Sequence, residues 1–328
     1  MKSHNDAKAG TPKNILIIRL GAMGDIILSS GVVRDIRLAF PEARIYFLTQ
    51  KPFVKLLSRN KDVDEIIVDP RPHRLMFWKF WPTIRKLRSL KIDRVFDIQD
   101  TARTQIYHKW LRPVEWVGCL RGCSHRVPDE LGRNPRTLEN KAARVKAGGV
   151  EPVHTRKPSA VWMADPVDDV LKAYNVPARF VLLIPGSSMK NPDRRWPFYG
   201  ELAARLQEAG YTCVTAPGPD ELELCAKMPA TMLMRINADG SKKPLTFFEL
   251  AGLATRAHYA IGNDTGPSHI AARCGAPGLG LFGKSTLAQN SGFDTVWSFI
   301  QTPDLSKLTV DEVFNKAIQE LEKLSAQV

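Results

Sequence analysis

No run in these 328 residues approaches the roughly 20 consecutive apolar residues that a membrane-spanning helix needs, so nothing in the chain is expected to cross a bilayer. The opening MKSHNDAKAGTPK is polar and lacks the apolar core of a secretory signal; it reads as a frayed tail on a protein expected to stay in the cytoplasm. Cysteine is sparse, five residues at 119, 123, 213, 225 and 274, and their odd number and scatter argue for reduced thiols rather than a disulfide framework. Cys119, Cys123 and His125 suggest a partial metal site, but their spacing is no recognised zinc pattern and a fourth ligand is not evident. Plain thiols are the better reading, and no metal or cofactor is expected. Also missing are a G-x-G-x-x-G dinucleotide fingerprint and any helix-turn-helix or RNA-binding signature.

Acidic residues are scarce in the first part of the chain. Met1 to Thr155 holds 29 Lys and Arg against 16 Asp and Glu, whereas the remainder holds 18 of each, so the whole net charge of +13 lies in the N-terminal half. Solubility alone is the plain explanation. The pointed one is an anionic partner for that half: a phosphorylated glycolipid, a membrane surface or nucleic acid.

The stretch Asn14 to Asp25, NILIIRLGAMGD, organises the rest. Ile15 to Ile18 is a short apolar run typical of a strand buried on both faces of a parallel sheet. Gly21 and Gly24 permit a sharp turn and close approach of a ligand to the backbone. Asp25 then opens an apolar run at helical spacing (Ile26, Ile27, Val32, Val33, Ile36, Leu38), which places it at the carboxyl edge of the first strand, where ligands of open α/β sheets bind. There it either caps the helix or acts as an acceptor of protons or hydrogen bonds, kept ionised by the helix dipole.

Further strands are expected at 44–49, 63–68 and 94–98, the last delivering Asp97, Gln99, Asp100, Thr101 and Arg103 to the central crevice. Asp62 and Asp64 spell Asp-x-Asp but run into a strand and read as surface decoration. The aromatic and basic stretch 77–90, with Trp78 and Trp81, suits a lipid-headgroup interface; packing on the sheet is its more ordinary role. Residues 112–146 read as a basic loop region able to hold phosphate or acidic sugar through arginine. Prolines at 152, 158 and 166 mark a linker, giving domains 1–165 and 166–328. Phe180 to Ile184 and the following Pro-Gly-Ser-Ser repeat the opening pattern, so the fold class is α/β with two Rossmann-like domains. The chain closes in an amphipathic helix over 309–327. Two strand-to-helix turns suit a nucleotide diphosphate: SSMKNPDRRW, offering Ser187, Ser188, Lys190, Arg194 and Arg195, and NDTGPSH, offering Asp264, Thr265, Gly266 and His269.

The segments LGAMGDIILSSGVVRDIRLAFPEARIYFLT, PGSSMKNPDRRWP and GNDTGPSHIAARCGAPGLGLFG resemble the heptosyltransferase family that builds the inner core of bacterial lipopolysaccharide, and the similarity spans nearly the whole chain. The resemblance implies a GT-B fold, with two Rossmann-like domains facing each other across a cleft. It implies an inverting, metal-independent transfer from ADP-heptose, bound by the C-terminal domain, to a Kdo or heptose acceptor on lipopolysaccharide, taken by the N-terminal domain. The enzyme would then lie peripherally on the inner face of the inner membrane, without nucleic acid as a partner. Asp25 falls on the family's general base. Ser187, Ser188, Lys190, Arg194, Asp264, Thr265, Gly266 and His269 fall to the donor; Gly24, Asp97, Gln99 and Arg103 to the acceptor. Two departures stand out. Arg194 occupies a position where the family usually has lysine, and after Leu281-Phe282-Gly283 the chain reads Lys284-Ser285-Thr286 instead of the common Pro-Thr-Asp-Pro. Transfer of another nucleotide-activated sugar to a surface glycan, or non-catalytic binding of an anionic glycan or nucleic acid, remain the alternative readings.

Overall fold

The computed structural model of the protein describes residues 11–71, 74–111, 115–132, 137–187, 192–284, 292–293 and 297–326. The chain forms two compact units, Met1–Pro158 and Ser159–Val328.

The first unit runs β1 (Asn14–Ile18), α1 (Met23–Leu28), α2 (Ser30–Ala39), β2 (Arg44–Gln50), α3 (Val54–Leu57) and β3 (Glu65–Asp69). After a 3-10 stretch, Arg74–Phe80, come α4 (Trp81–Ser89), β4 (Arg94–Asp97), α5 (Ala102–Leu111), β5 (Glu115–Gly118), β6 (His125–Arg126), α6 (Asp129–Gly132), α7 (Thr137–Ala147) and α8 (Val153–Arg156). The strands pair in parallel in the order β3-β2-β1-β4-β5-β6. Ile15 to Ile18 and Val95 and Phe96 are fully buried because helices cover both faces of the sheet. Each such aliphatic side chain stabilises the fold by roughly 1.5–3 kcal/mol relative to exposure.

Three expectations change on contact with this unit. Residues 112–146 are not a loop region: among the described residues they hold β5, β6, α6 and α7. The helical period of α7 is hidden because Lys141 and Arg144 occupy interior positions, their side chains only 2% and 3% exposed. The stretch 77–90 divides, with Phe80, Ile84 and Leu87 in the core but Trp78 and Trp81 exposed. Asp64 accepts from the Ile45 amide at 2.7 Å and from Arg37, and Asp62 pairs with Arg34 at 3.0 Å, so the Asp-x-Asp ties α2 to the start of the sheet.

The second unit runs α9 (Asp168–Ala173), β7 (Phe180–Ile184), α10 (Tyr199–Glu208), β8 (Thr212–Thr215), α11 (Leu222–Ala226) and β9 (Thr231–Met232). A hairpin of β10 (Met234–Ile236) and β11 (Lys242–Pro244) follows, then α12 (Phe247–Arg256), β12 (Tyr259–Asn263), α13 (Gly266–Arg273), β13 (Gly278–Phe282), β14 (Ser298–Gln301) and a C-terminal helix Val310–Ser325. Its six-stranded sheet is again all parallel, in the order β14-β13-β12-β7-β8-β9. Counted within each unit, this is the same Rossmann-type order as the first. Thr246 and Glu249 form a reciprocal capping box at the start of α12, and Thr309 and Glu312 form another on the C-terminal helix, whose Val313, Ala317 and Leu321 are fully buried.

The units divide after Pro158, a few residues before the boundary read from the prolines. Asp35 of α2 accepts from the backbone amides of His154 and Thr155 at 2.9 and 2.7 Å and from the Thr155 hydroxyl at 2.7 Å, which holds the chain to the first unit. Beyond the division, the Ala160 amide donates to Arg273 O at 2.9 Å and that of Asp165 to Phe248 O at 3.0 Å. Backbone pairing, not proline content, decides where one unit ends.

Candidate active site

In an open parallel sheet the strand sequence reverses direction at one point, and the loops leaving the two strands there diverge to leave a crevice. In the first unit that point lies between β1 and β4. The loop after β1 is pinned to the loop after β4: Arg19 Nη1 donates to Ile98 O at 2.8 Å and the Leu20 amide to Gln99 Oε1 at 2.9 Å. Gly21 sits at φ +142°, and a Cβ there would come 2.7 Å from the Phe53 ring, so this turn requires glycine.

Asp25 is the third residue of α1, but its carboxylate does not cap the helix; Ala22 is the N-cap and no side chain bonds there. Instead Oδ2 pairs with Arg19 and Oδ1 accepts from Lys141 Nζ at 3.2 Å. Burial on its own would raise the Asp25 pKa; the charges of Lys141 and Arg19 overcome it and hold the carboxyl below its usual range. The same pair seen from the other side has burial pulling Lys141 down to about 8 against the opposing pull of Asp25, with Arg19 and Arg144 adding repulsion. Two cations occupy two of about four lone-pair directions of the carboxylate. The side chain is 31% exposed, so a hydroxyl can still reach it.

Gly24 precedes Asp25 in α1 and is half-buried. The other residues expected on an acceptor serve the scaffold. Asp97, at the end of β4, is fully buried; Oδ1 accepts from the amides of Gln99 and Asp100 at 3.1 and 2.8 Å, and burial pushes the carboxyl up to about 6. Gln99 is taken by Leu20. Arg103 forks onto Asp69, Nε to Oδ2 at 2.7 Å and Nη2 to Oδ1 at 2.5 Å, while Tyr107 donates to the same carboxylate and the Phe80 ring lies under the guanidinium. Arg144 bridges Asp100 at 3.0 Å and Cys119 Sγ at 3.3 Å. Among the described residues no group of three His, Cys, Asp or Glu side chains is placed to hold a metal ion.

The second unit reverses between β7 and β12. Asn263, the last residue of β12, joins the two loops: Nδ2 donates to Pro185 O at 3.0 Å and Gly186 O at 3.3 Å, and Oδ1 accepts from the Trp196 amide at 3.2 Å and the Tyr199 hydroxyl at 3.3 Å. Gly186 lies against Glu221, where any Cβ would clash with the carboxylate. Arg194 Nη1 pairs with Asp264 Oδ2 at 2.9 Å, and Arg195 Nη2 reaches Ser187 O at 3.4 Å; both Nε atoms are buried without a hydrogen-bond partner among the described residues. Thr265 is the N-cap of α13, its hydroxyl 3.2 Å from that of Ser268 and making no cap bond, so first-turn amides of α13 lie at the end of β12. His269 stands 3.9 Å from Asp264 Oδ1 with its ring against Phe293. Ser188 and Lys190 lie outside the described residues.

The structure thus brings Asp25 together with Arg19 and Lys141 in one unit, and Arg194 together with Asp264, Thr265, Gly266 and His269 in the other. Arg19, Lys141, Asn263 and Glu221 are absent from the sequence-based set. Arg19 and Asn263 lie inside the motifs and were within reach; Lys141 is 116 residues from Asp25 in a helix without a motif.

The sequence profile of glycosyltransferase family 9 (heptosyltransferase) matches residues 152–294, the span that carries both of these loops in the second unit. That match falls almost wholly in the second unit and not in the first. The lipopolysaccharide core heptosyltransferase OpsX of Haemophilus influenzae is 23% identical to this chain over 293 residues, covering 83% of this chain and 79% of that protein. Among solved structures, the family 9 glycosyl transferase from Veillonella parvula superposes with a TM-score of 0.75 at 18% identity, covering 95% of this chain and 97% of that one. The E. coli heptosyltransferase WaaC with ADP superposes with a TM-score of 0.67 at 17% identity, covering 96% and 100%. The fold of the chain is GT-B, built from two Rossmann-like units.

Proposed function

We propose that this chain moves heptose from ADP-L-glycero-D-manno-heptose to a Kdo or heptose residue of the lipopolysaccharide inner core, with inversion and without a metal. The observation that carries the proposal is the carboxylate of Asp25, part-exposed at the reversal point of one sheet and held ionised between Lys141 and Arg19. The family profile, the named function of the Haemophilus relative and the ADP in the WaaC structure support the choice of sugar and nucleotide.

In this reading Asp25 is the general base. A low-pKa carboxylate is a weak base toward a free alcohol, but the acceptor hydroxyl becomes strongly acidic as its oxygen bonds to the anomeric carbon, so the proton passes late in the step. Attack from the face opposite the diphosphate inverts the configuration. Charge then grows on the departing ADP oxygen, and Arg194, Arg195 and the amides at the start of α13 would stabilise it. Asp264 would hold Arg194 in place. Ser187, Ser188, Lys190, Thr265, Gly266 and His269 complete the proposed donor set, with Glu221 beside the Gly186 turn. The basic first unit would meet the phosphates and acidic sugars of a lipid-linked acceptor, with the enzyme peripheral to the membrane that carries it.

The test joins calorimetric titration with ADP, UDP and GDP to a transfer assay on wild type and Asp25→Ala. ADP is expected to bind selectively, and Asp25→Ala to lose turnover while binding ADP nearly unchanged. Selective UDP or GDP binding would favour a different nucleotide-activated sugar. Full turnover by Asp25→Ala would remove the base assignment.

A further inference from the structure

From Pro70 to Ile92 the chain carries seven Lys and Arg and no Asp or Glu. The core-facing side chains of this region, Phe80, Ile84 and Leu87, are buried, which turns Trp78 and Trp81 outward at 58% and 45% exposure. Helix α5 adds to the same surface. Tyr107 is buried, while Ile106, Lys109 and Trp110 are exposed. The Trp81 and Trp110 rings meet edge to face with centroids 5.5 Å apart, and Arg88 joins the helices by donating from Nε and Nη2 to Trp110 O at 3.0 and 2.6 Å while lying over the Trp81 ring. Beside Trp81 a shallow groove of about 500 Å³ is lined by Pro82, Arg85, Lys86 and Ser89. Lys86 pairs with Glu65 of β3 at 2.7 Å; Arg85 and Lys109 are exposed.

We propose that this surface, centred on Trp78, Trp81 and Trp110, seats the protein on an anionic lipid bilayer. Indole rings favour the boundary between headgroups and acyl chains, where the ring is buried and the N–H stays hydrated. Cations around the rings match the negative surface potential of the leaflet. The acid-free sequence supplies the charge complementarity that decides for lipid: a protein-binding patch of mixed charge would not need a run of 23 residues without a carboxylate. With no helix among the described residues long and apolar enough to cross a membrane, seating on its surface is the mode this patch allows. Because transfer can be assayed on a delipidated acceptor, failure here leaves the catalytic proposal standing.

The experiment is co-sedimentation of the full chain with vesicles of phosphatidylcholine, with and without phosphatidylglycerol, at low and high salt. Binding is expected only with phosphatidylglycerol and to weaken with salt. It is expected to fall on the order of tenfold in Trp78→Ser/Trp81→Ser/Trp110→Ser and again in Arg85→Glu/Lys109→Glu, with ADP binding unchanged. The charge variant alters only exposed side chains and decides the matter if the tryptophan variant misfolds. Binding indifferent to phosphatidylglycerol, or charge-variant binding equal to wild type, would overturn the proposal. So would absence of vesicle binding, which would leave the patch to a protein partner.

Discussion

Asp25 shows how much of a residue's chemistry lies outside its own neighbourhood in the chain. The glycine turn delivers the carboxylate to a sheet edge, but its ionisation is set by Lys141 on α7 and Arg19 on the preceding loop. Removing the buried ammonium by Lys141→Met withdraws one of the charges that oppose burial, so the Asp25 pKa should rise. In its proposed role as base Asp25 is active when deprotonated, and the acidic limb of the kcat/KM profile should therefore move to higher pH. Methionine fills a similar volume and removes a charge from the interior, so the fold should survive the change. Lys141→Arg should restore the wild-type limb. An unmoved limb in Lys141→Met would mean that the lysine only packs.

At the scale of elements, the second site depends on two strand ends meeting. Asn263 satisfies carbonyls after β7 while receiving the Trp196 amide and the Tyr199 hydroxyl, all in a buried setting. Asn263→Ala leaves these groups without partners, and each buried unsatisfied group costs about 1–3 kcal/mol. ADP affinity should fall about tenfold or more and the thermal midpoint should drop with it; calorimetry and a thermal melt read both. Equal affinity at a lowered midpoint would separate this staple from nucleotide binding. Strong apolar strands and the capping boxes at Thr246 and Thr309 are legible in the sequence because each is a local pattern. Helix α7 is not, since its buried face carries Lys141 and Arg144, and a hydrophobic period cannot register a buried cation.

For the molecule as a whole, the charge asymmetry is the property with a measurable consequence. A basic first unit predicts that affinity for a phosphorylated acceptor falls steeply between low and physiological salt, because exposed charges are screened beyond about 8 Å at 0.15 M. Nucleotide affinity, resting on buried loops and helix amides, should change little. Acceptor binding indifferent to salt would separate the basic charge from substrate recognition.

Composition, motif spacing and hydrophobic period were enough to read two α/β halves and to set Asp25 and the two second-unit turns at strand ends, because strands, turns and caps are decided by residues a few positions apart. The tertiary structure alone decided which cations surround Asp25, that Asp97, Gln99 and Arg103 bind the scaffold, and that Trp81 and Trp110 share one surface. Apart from Arg19 beside Asp25 and the turn that Asp97 closes on Gln99, those pairings join residues 29 to 116 positions apart. Whether a charged or aromatic side chain is buried, paired or exposed depends on which element packs beside it, and no local pattern carries that information.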